Sequence, residues 1–235
     1  MNTIKYKKLN LQEGDTLLDM GCGEGRHSIG ALLETSANVI GLDLSQNDLS
    51  TAKSRLKDFD ISDLQTSCNF GVANINDIPI ENSKLDAVMC SEVLEHIDSP
   101  QESIEELIRV LKPGGVLALS VPRYLPELIC WKLSKEYSKT PGGHVRIFKH
   151  KQLKDLGVRN GLEYLSFHWA HGLHSPYWWL QCLFWSTKET SYIVKLYHRL
   201  LVWDLMKKPL TTKILEVILQ PLIGKSLVMY FKKPG

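Results

Sequence analysis

From residue 16 onward, short β-branched and aliphatic runs alternate with stretches whose apolar positions recur at helical spacing. Runs of the first kind suit strands buried on both faces, and stretches of the second kind suit amphipathic helices; their alternation predicts βαβ units around a parallel sheet. Residues 16–20 (TLLDM) read as the first strand, followed by a glycine loop and a helix to about Thr35. Residues 38–42 (NVIGL) form the second strand, ending at Asp43, and residues 45–57 a helix that Ser45 can N-cap. A short third strand covers 69–73, and a fourth covers 85–90 (LDAVMC). Residues 102–111 are helical, with Ile104, Leu107, Ile108 and Leu111 on one stripe. Lys112-Pro113-Gly114-Gly115 is expected to break that helix ahead of the fifth strand, 116–121 (VLALSV).

Past Pro122 the texture changes. All six tryptophans lie there: Trp131, Trp169, Trp178, Trp179, Trp185 and Trp203. Residues 162–169 read as a sixth strand and 225–232 (KSLVMYFK) as a seventh. Between them lie about fifty residues, mostly helical in pattern and rich in Leu, Ile, Trp and Tyr. An insertion of that length inside a compact domain carries function or structure of its own. The expectation is one α/β domain over 1–235, doubly wound around a mostly parallel seven-stranded sheet. Residues 1–122 form its core, and 123–150 and 172–224 form cap or lid elements.

Composition narrows the functional classes. The 28 basic and 26 acidic residues leave a net charge of +2, too small a bias to argue for nucleic acid. Five cysteines, with no C-x-x-C pair, fit free thiols better than a disulfide framework or a zinc site. The first fifteen residues carry no apolar run behind their lysines, and no stretch is long and apolar enough to span a bilayer. A cytoplasmic protein is expected, with contact at a membrane surface left open.

The candidate chemistry begins at residues 17–28 (LLDMGCGEGRHS). Asp19-x-Gly21-x-Gly23-x-Gly25 stands where a strand hands over to a helix. Glycines let the backbone turn sharply and approach a ligand, and the helix that follows presents free N–H groups. Asp43 ends the next strand about twenty residues on, where a carboxylate can accept both ribose hydroxyls of a nucleoside. A dinucleotide site wants a small third residue in G-x-G-x-x-G/A, but here that position is Arg26. Asp19 would also repel a pyrophosphate while suiting an ammonium group. The pattern favours S-adenosylmethionine over NAD.

Together with the acid after strand two, the L-K-P-G-G turn and the S-E-V-L-E-H segment (91–96), this loop resembles the class I S-adenosylmethionine-dependent methyltransferases over residues 15–122. The resemblance implies a Rossmann-like sheet of order 3-2-1-4-5-7-6. It implies that Asp19 and Gly21 hold the methionine end, that Gly23 and Gly25 shape the loop, and that Asp43 takes the ribose. Cys22, Leu44, Ile75 and Cys90 are expected to adjoin the cofactor. An acid after strand three often meets the adenine in this family; here the matching position is Asn74 or, in another register, Asp77.

Glu92, Glu95 and His96 stand at i, i+3 and i+4 and would share one face if they open a helix. Two carboxylates and an imidazole can ligate a hard cation such as Mg2+, with His144 a candidate fourth ligand. The segment is similar to the metal-binding one of ubiquinone-pathway O-methyltransferases and small-RNA 2′-O-methyltransferases. In other family members such residues cap the helix or line the pocket, so both roles stand. His144-Val145-Arg146-Ile147-Phe148 resembles the H-x-R-x-F stretch whose loop crosses the active site, where His144 is either a general base or a loop histidine bonded to backbone. Glu92, His96 and His144 are thus the candidate catalytic residues.

His168, His171 and His174, with Tyr177, Trp178 and Trp179, suit the wall of a substrate cleft or plain packing better than a metal site, because Pro176 follows closely. Residues 172–224 mix aromatics with Lys188, Lys195, Arg199, Lys207, Lys208 and Lys213. They are read either as a helical cap with its apolar face on the sheet or as a surface that rests on anionic lipid. The expectation is methyl transfer to a small, hydrophobic or aromatic acceptor, through oxygen by preference. The alternatives are a non-catalytic S-adenosylmethionine-binding module and an enzyme acting on a membrane-associated lipid or isoprenoid.

Overall fold

In the computed structural model, which describes residues 2–235, seven strands form one sheet of order β3-β2-β1-β4-β5-β7-β6. The strands are β1 (Thr16–Met20), β2 (Asn38–Asp43), β3 (Cys68–Val72), β4 (Leu85–Ser91), β5 (Leu111–Pro122), β6 (Glu163–Ala170) and β7 (Ser226–Lys232). β7 alone runs antiparallel, pairing with β5 on one side and β6 on the other.

The central strands are apolar at consecutive positions because both faces are covered. Leu18, Val88, Cys90, Leu117 and Leu119 point to one face, where α3 (Pro100–Val110) adds Ile104 and Leu107 and α6 (His150–Arg159) adds Leu153. Leu17, Ala87, Met89, Ala118 and Tyr230 point to the other, where α1 (Arg26–Glu34) adds Ala31 and Leu32 and the N-terminal segment adds Ile4, Tyr6 and Leu9. α2 (Gln46–Leu56) begins as expected at Ser45, whose hydroxyl accepts from the Asp48 amide at 3.2 Å.

One boundary differs from expectation. Lys112-Pro113-Gly114-Gly115 does not separate helix from strand but lies inside β5, which opens at Leu111 with a register shift against β4. The C-terminal segment accounts for it: Gly114 N–H donates to Lys233 O at 2.8 Å, and Lys233 N–H donates to Gly115 O at 2.9 Å. Lys233 Nζ also donates to the carbonyls of Ile108 and Leu111, at 2.7 Å each, and so closes the end of α3 with a cation.

All parallel strands end at one edge of the sheet. The glycine loop leaves β1 there, Asp43 ends β2, Ser91 ends β4 and Pro122 ends β5. After β5 come α4 (Tyr124–Leu133) and the short α5 (Lys135–Ser138). β6 runs parallel to β5, so the insertion that follows it springs from the same edge. It contains α7 (His174–Leu183), α8 (Tyr192–Lys207) and α9 (Leu210–Ile223). α7 packs on α4, where Trp179 Nε1 donates to Pro126 O at 3.1 Å.

Candidate active site

The loop after β1 takes its shape from two glycines that no other residue could replace without strain. Gly21 (φ +75°) packs so tightly against Val93 that a Cβ there would collide with it. Gly25 (φ +79°) caps α1 in the left-handed region, where a Cβ would come within 2.8 Å of Ala52. The amides of Gly21 and Cys22 both donate to Leu42 O, at 2.7 and 3.0 Å, tying the loop to the end of β2. Asp43 is fixed from both sides: one oxygen accepts from Gly23 N–H and the other from Ser45 N–H, each at 2.8 Å. Each oxygen keeps a lone pair for a ligand.

These residues open on a cleft of 780 Å3, the size of a nucleoside-bearing cofactor site. Its walls include Gly21, Gly23, Asp43, Leu44, Asn74, Ile75, Glu92 and His96. Of the two positions weighed for the adenine, Asn74 lines the cleft and Asp77 does not; the Asn74 side-chain oxygen accepts from Asn76 N–H at 3.0 Å. Three expected cofactor neighbours lie beneath the walls. Cys90 is enclosed at the end of β4, Cys22 is buried under the loop, and Asp19 is 1% exposed. Asp19 accepts from Ser28 Oγ at 2.6 Å with one oxygen, while the other is buried without a partner. Burial pushes its carboxyl up to about 6.

Glu92, Glu95 and His96 do not share a helical face. Glu92 has a left-handed backbone (φ +58°), and only Leu94–His96 form a turn, a single 3₁₀ one. The cause lies in β5: Glu92 N–H donates to Ser120 O at 2.9 Å, and its side chain accepts from Ser120 Oγ at 2.8 Å. Glu92 therefore faces the cleft, whereas Glu95 turns inward. The structure brings Glu95 and His96 together with His144 instead, with one ligand atom from each inside a 4.8 Å span.

The neighbours of these three side chains set their chemistry. Both Glu95 oxygens are buried and unpartnered, and burial first, then the Glu92 charge, pushes its carboxyl well above the usual range. His96 Nε2 lies 3.9 Å and His144 Nε2 4.0 Å from Glu95 Oε1. On the far side, His96 Nδ1–H donates to Gly143 O at 3.2 Å. His144 Nδ1–H donates to Glu127 Oε1 at 2.6 Å. Those acceptors carry no proton to give, so with neutral rings both Nε2 lone pairs are left turned toward the Glu95 carboxylate. Glu127 is 1% exposed and also accepts from Tyr137 OH at 2.9 Å and Trp131 Nε1 at 3.2 Å. Burial raises its carboxyl, but the hydrogen bonds it accepts from His144 and Tyr137, with the Lys225 charge nearby, outweigh that and hold it below the usual range. Glu127 was absent from the sequence reading. It is one acid in an apolar helix, seventeen residues before its partner, and only the fold-back of the chain after α4 makes the pair.

The chain matches the family model described as "Methyltransferase domain" over residues 11–178. It belongs to the class I S-adenosylmethionine-dependent methyltransferase family. Demethylmenaquinone methyltransferase of Oceanobacillus iheyensis is 37% identical to this chain over 112 residues, covering 46% of the chain and 45% of the relative. The chain spans about half the length, or less, of the curated relatives it matches. Geranyl diphosphate C-methyltransferase of Streptomyces coelicolor, solved with Mg2+, geranyl diphosphate and S-adenosyl-L-homocysteine, superposes at a TM-score of 0.63 with 18% identity, covering 97% of this chain and 77% of that one. The [4+2]-cyclase SpnF superposes at 0.65 with 18% identity, covering 97% and 77%. At such identities the likeness is of fold, and the fold carries more than one chemistry.

His168, His171 and His174 stand apart from this group. His168 in β6 donates through Nε2 to Thr3 O at 3.2 Å and stacks on Tyr230. His171, with a left-handed backbone, has Nε2 2.9 Å from Thr3 Oγ1 and its ring edge-on to His174. Burial lowers all three, His168 to about 4. Neutral rings in these places tie the N-terminal segment to the start of the insertion.

Proposed function

We propose that this chain transfers the methyl group of S-adenosylmethionine to a hydroxyl of a small apolar or aromatic acceptor, held between the cleft and the cap made by α4, α5 and α7. The cofactor supplies an activated methyl on a sulfonium, so the protein needs mainly to align the attacking oxygen, exclude water and take one proton. Asp43 and the Gly21–Gly25 loop bind and orient the donor, and Glu92 and His96, which line the same cleft, face the acceptor.

The observation that carries the choice of oxygen is Glu95. A buried carboxyl group without a side-chain hydrogen-bond donor, with the Nε2 atoms of two histidines turned toward it, is a donor set suited to a cation. The set fits a divalent metal, and both histidines have their outer nitrogen bonded in the manner of oriented ligands. With His144 in place of Glu92, two nitrogens and one carboxylate suit manganese or zinc better than the Mg2+ expected from two carboxylates. Such an ion, when bound, lowers the pKa of a hydroxyl beside it. The chain's own part is to hold His144 through Glu127 and, through the cleft-facing Glu92 carboxylate, to take the acceptor's proton and release it to solvent as the methyl group leaves the sulfonium.

Incubation with methyl-labelled S-adenosylmethionine and a panel of phenols, catechols and aliphatic alcohols tests the reading. Label should appear on oxygen, with S-adenosylhomocysteine formed one for one. Label found only on carbon or nitrogen acceptors would refute the oxygen assignment. An acceptor carried in the lipid phase is the second reading, and the outward face of α8 and α9 favours it.

A further inference from the structure

A helix on a water-facing surface turns its polar residues outward. α9 does the reverse. Its buried residues are Thr212 and Glu216, and the Glu216 carboxylate accepts from the amides of Gly172 and Leu173 at 2.8 Å each. Its outward residues are Leu210, Ile214, Leu215, Val217, Ile218 and Leu222, with Val217 70% exposed. α8 buries Val194 and Leu201 but leaves Tyr192, Ile193, Leu196, Trp203, Leu205 and Met206 exposed. A groove of 460 Å3 runs along it between Ile193, Leu196, Leu200, Trp203 and Arg199. So many exposed large apolar side chains on two neighbouring helices of the chain mark an interaction site.

The charges around it indicate the partner. Lys195, Arg199, Lys207, Lys208 and Lys213 are all exposed on or between the two helices, whereas their two acids, Asp204 and Glu216, are half-buried and buried. In a chain with a net charge of only +2, this is a local concentration. A second copy packed two-fold on the same face would set these cations against one another. Anionic headgroups would instead meet the cations while acyl chains cover the apolar residues. The helices, 16 and 14 residues long, extend only about 24 and 21 Å. Among the described residues no helix is long and apolar enough to cross a membrane.

We propose that the outer face of α8 and α9 is a docking surface for an anionic lipid bilayer, lying in the interface without spanning it. The inference does not depend on which atom accepts the methyl group. Co-sedimentation of the full chain with phosphatidylcholine–phosphatidylglycerol vesicles, and with phosphatidylcholine alone, tests it. Binding is expected to the mixed vesicles, to weaken with salt, and to be much lower on phosphatidylcholine. Lys207→Ala with Lys213→Ala should lower partitioning about thirtyfold. Val217→Asp with Ile218→Asp should abolish it, and circular dichroism should show both double variants folded, since every changed side chain is exposed. No binding to mixed vesicles, or equal binding to both kinds, would overturn the proposal. So would a solution dimer, by light scattering, that the Val217→Asp, Ile218→Asp variant separates.

Discussion

Replacing Glu95 by glutamine should make the metal-free protein more stable, an unusual outcome for a change at a candidate active site. Glu95 is fully buried, and neither oxygen has a donor within reach. A glutamine of the same shape removes the charge and offers two N–H groups to the Nε2 lone pairs of His96 and His144, which now face only acceptors. Relief of one buried unsatisfied group amounts to about 1–3 kcal/mol, more for a charge. In a domain of this size that raises Tm by roughly 2–4 °C for each kcal/mol. The gain must depend on pH. The native pKa of Glu95 is raised above its ordinary 4.5, so the folded state favours the protonated form. Its penalty is therefore absent below the ordinary value and grows as pH rises toward and through the raised one. Differential scanning calorimetry of both proteins in chelator, between pH 4.5 and 8, reads this directly. The two curves should converge at the acid end and separate toward neutrality. Manganese should then stabilise the wild type and not Glu95→Gln. A variant no more stable than wild type at neutral pH, or a difference that ignores pH, would mean that Glu95 is not an unsatisfied buried acid.

Glu127→Gln should lower kcat about 10- to 100-fold while leaving the Kd for S-adenosylmethionine unchanged, because it loosens His144 and lies off the cofactor cleft; parallel kinetics and calorimetry check this. Gly21→Ala should destabilise the fold by roughly 1–2 kcal/mol for its left-handed backbone, with a further loss from the collision with Val93; chemical denaturation measures it, and S-adenosylmethionine should no longer shift the melt. Asp43→Ala should weaken cofactor binding in titration calorimetry while sparing the Glu95 group, so manganese should still stabilise the variant. The carboxyl of Asp19 sits near 6. A cationic ligand above it should favour the ionised form, so S-adenosylmethionine should bind more tightly as pH rises through that value. A flat profile from pH 5 to 7 would remove Asp19 from the methionine end.

Much of the fold was legible because the sheet is buried on both faces. Runs such as LLDM and VLALSV admit few other placements, and glycines at positive φ mark where the first of them must turn. Ser45 and Asp43 were likewise readable, since an N-cap and a carboxylate at a strand end are local features. What the sequence did not disclose depends on long-range folding. A spacing of i, i+3 and i+4 promised one face for Glu92, Glu95 and His96, but the backbone bond that Glu92 N–H donates to Ser120 O, at a left-handed φ, twisted the chain and dealt the three to different sides. His144 filled the opening, held by Glu127, whose role arises only when α4 and the loop after α5 meet. The insertion shows a related limit. Its apolar residues were visible in the pattern, but periodicity cannot say which stripe faces inward. The Glu216 bonds to Gly172 and Leu173 decide it and leave the apolar stripe outside.

If the proposed function holds, a methyl donor in the cleft and the Glu95–His96–His144 group beside it work on one acceptor oxygen. Single-turnover transfer from methyl-labelled S-adenosylmethionine, run side by side on wild type and His144→Ala, tests it most directly. Wild type should give labelled ether product, and the variant should lose it by two orders of magnitude or more (about 3 kcal/mol) with unchanged S-adenosylmethionine affinity. Undiminished transfer by His144→Ala, or a wild-type chain that does not bind the donor, would contradict the proposed function.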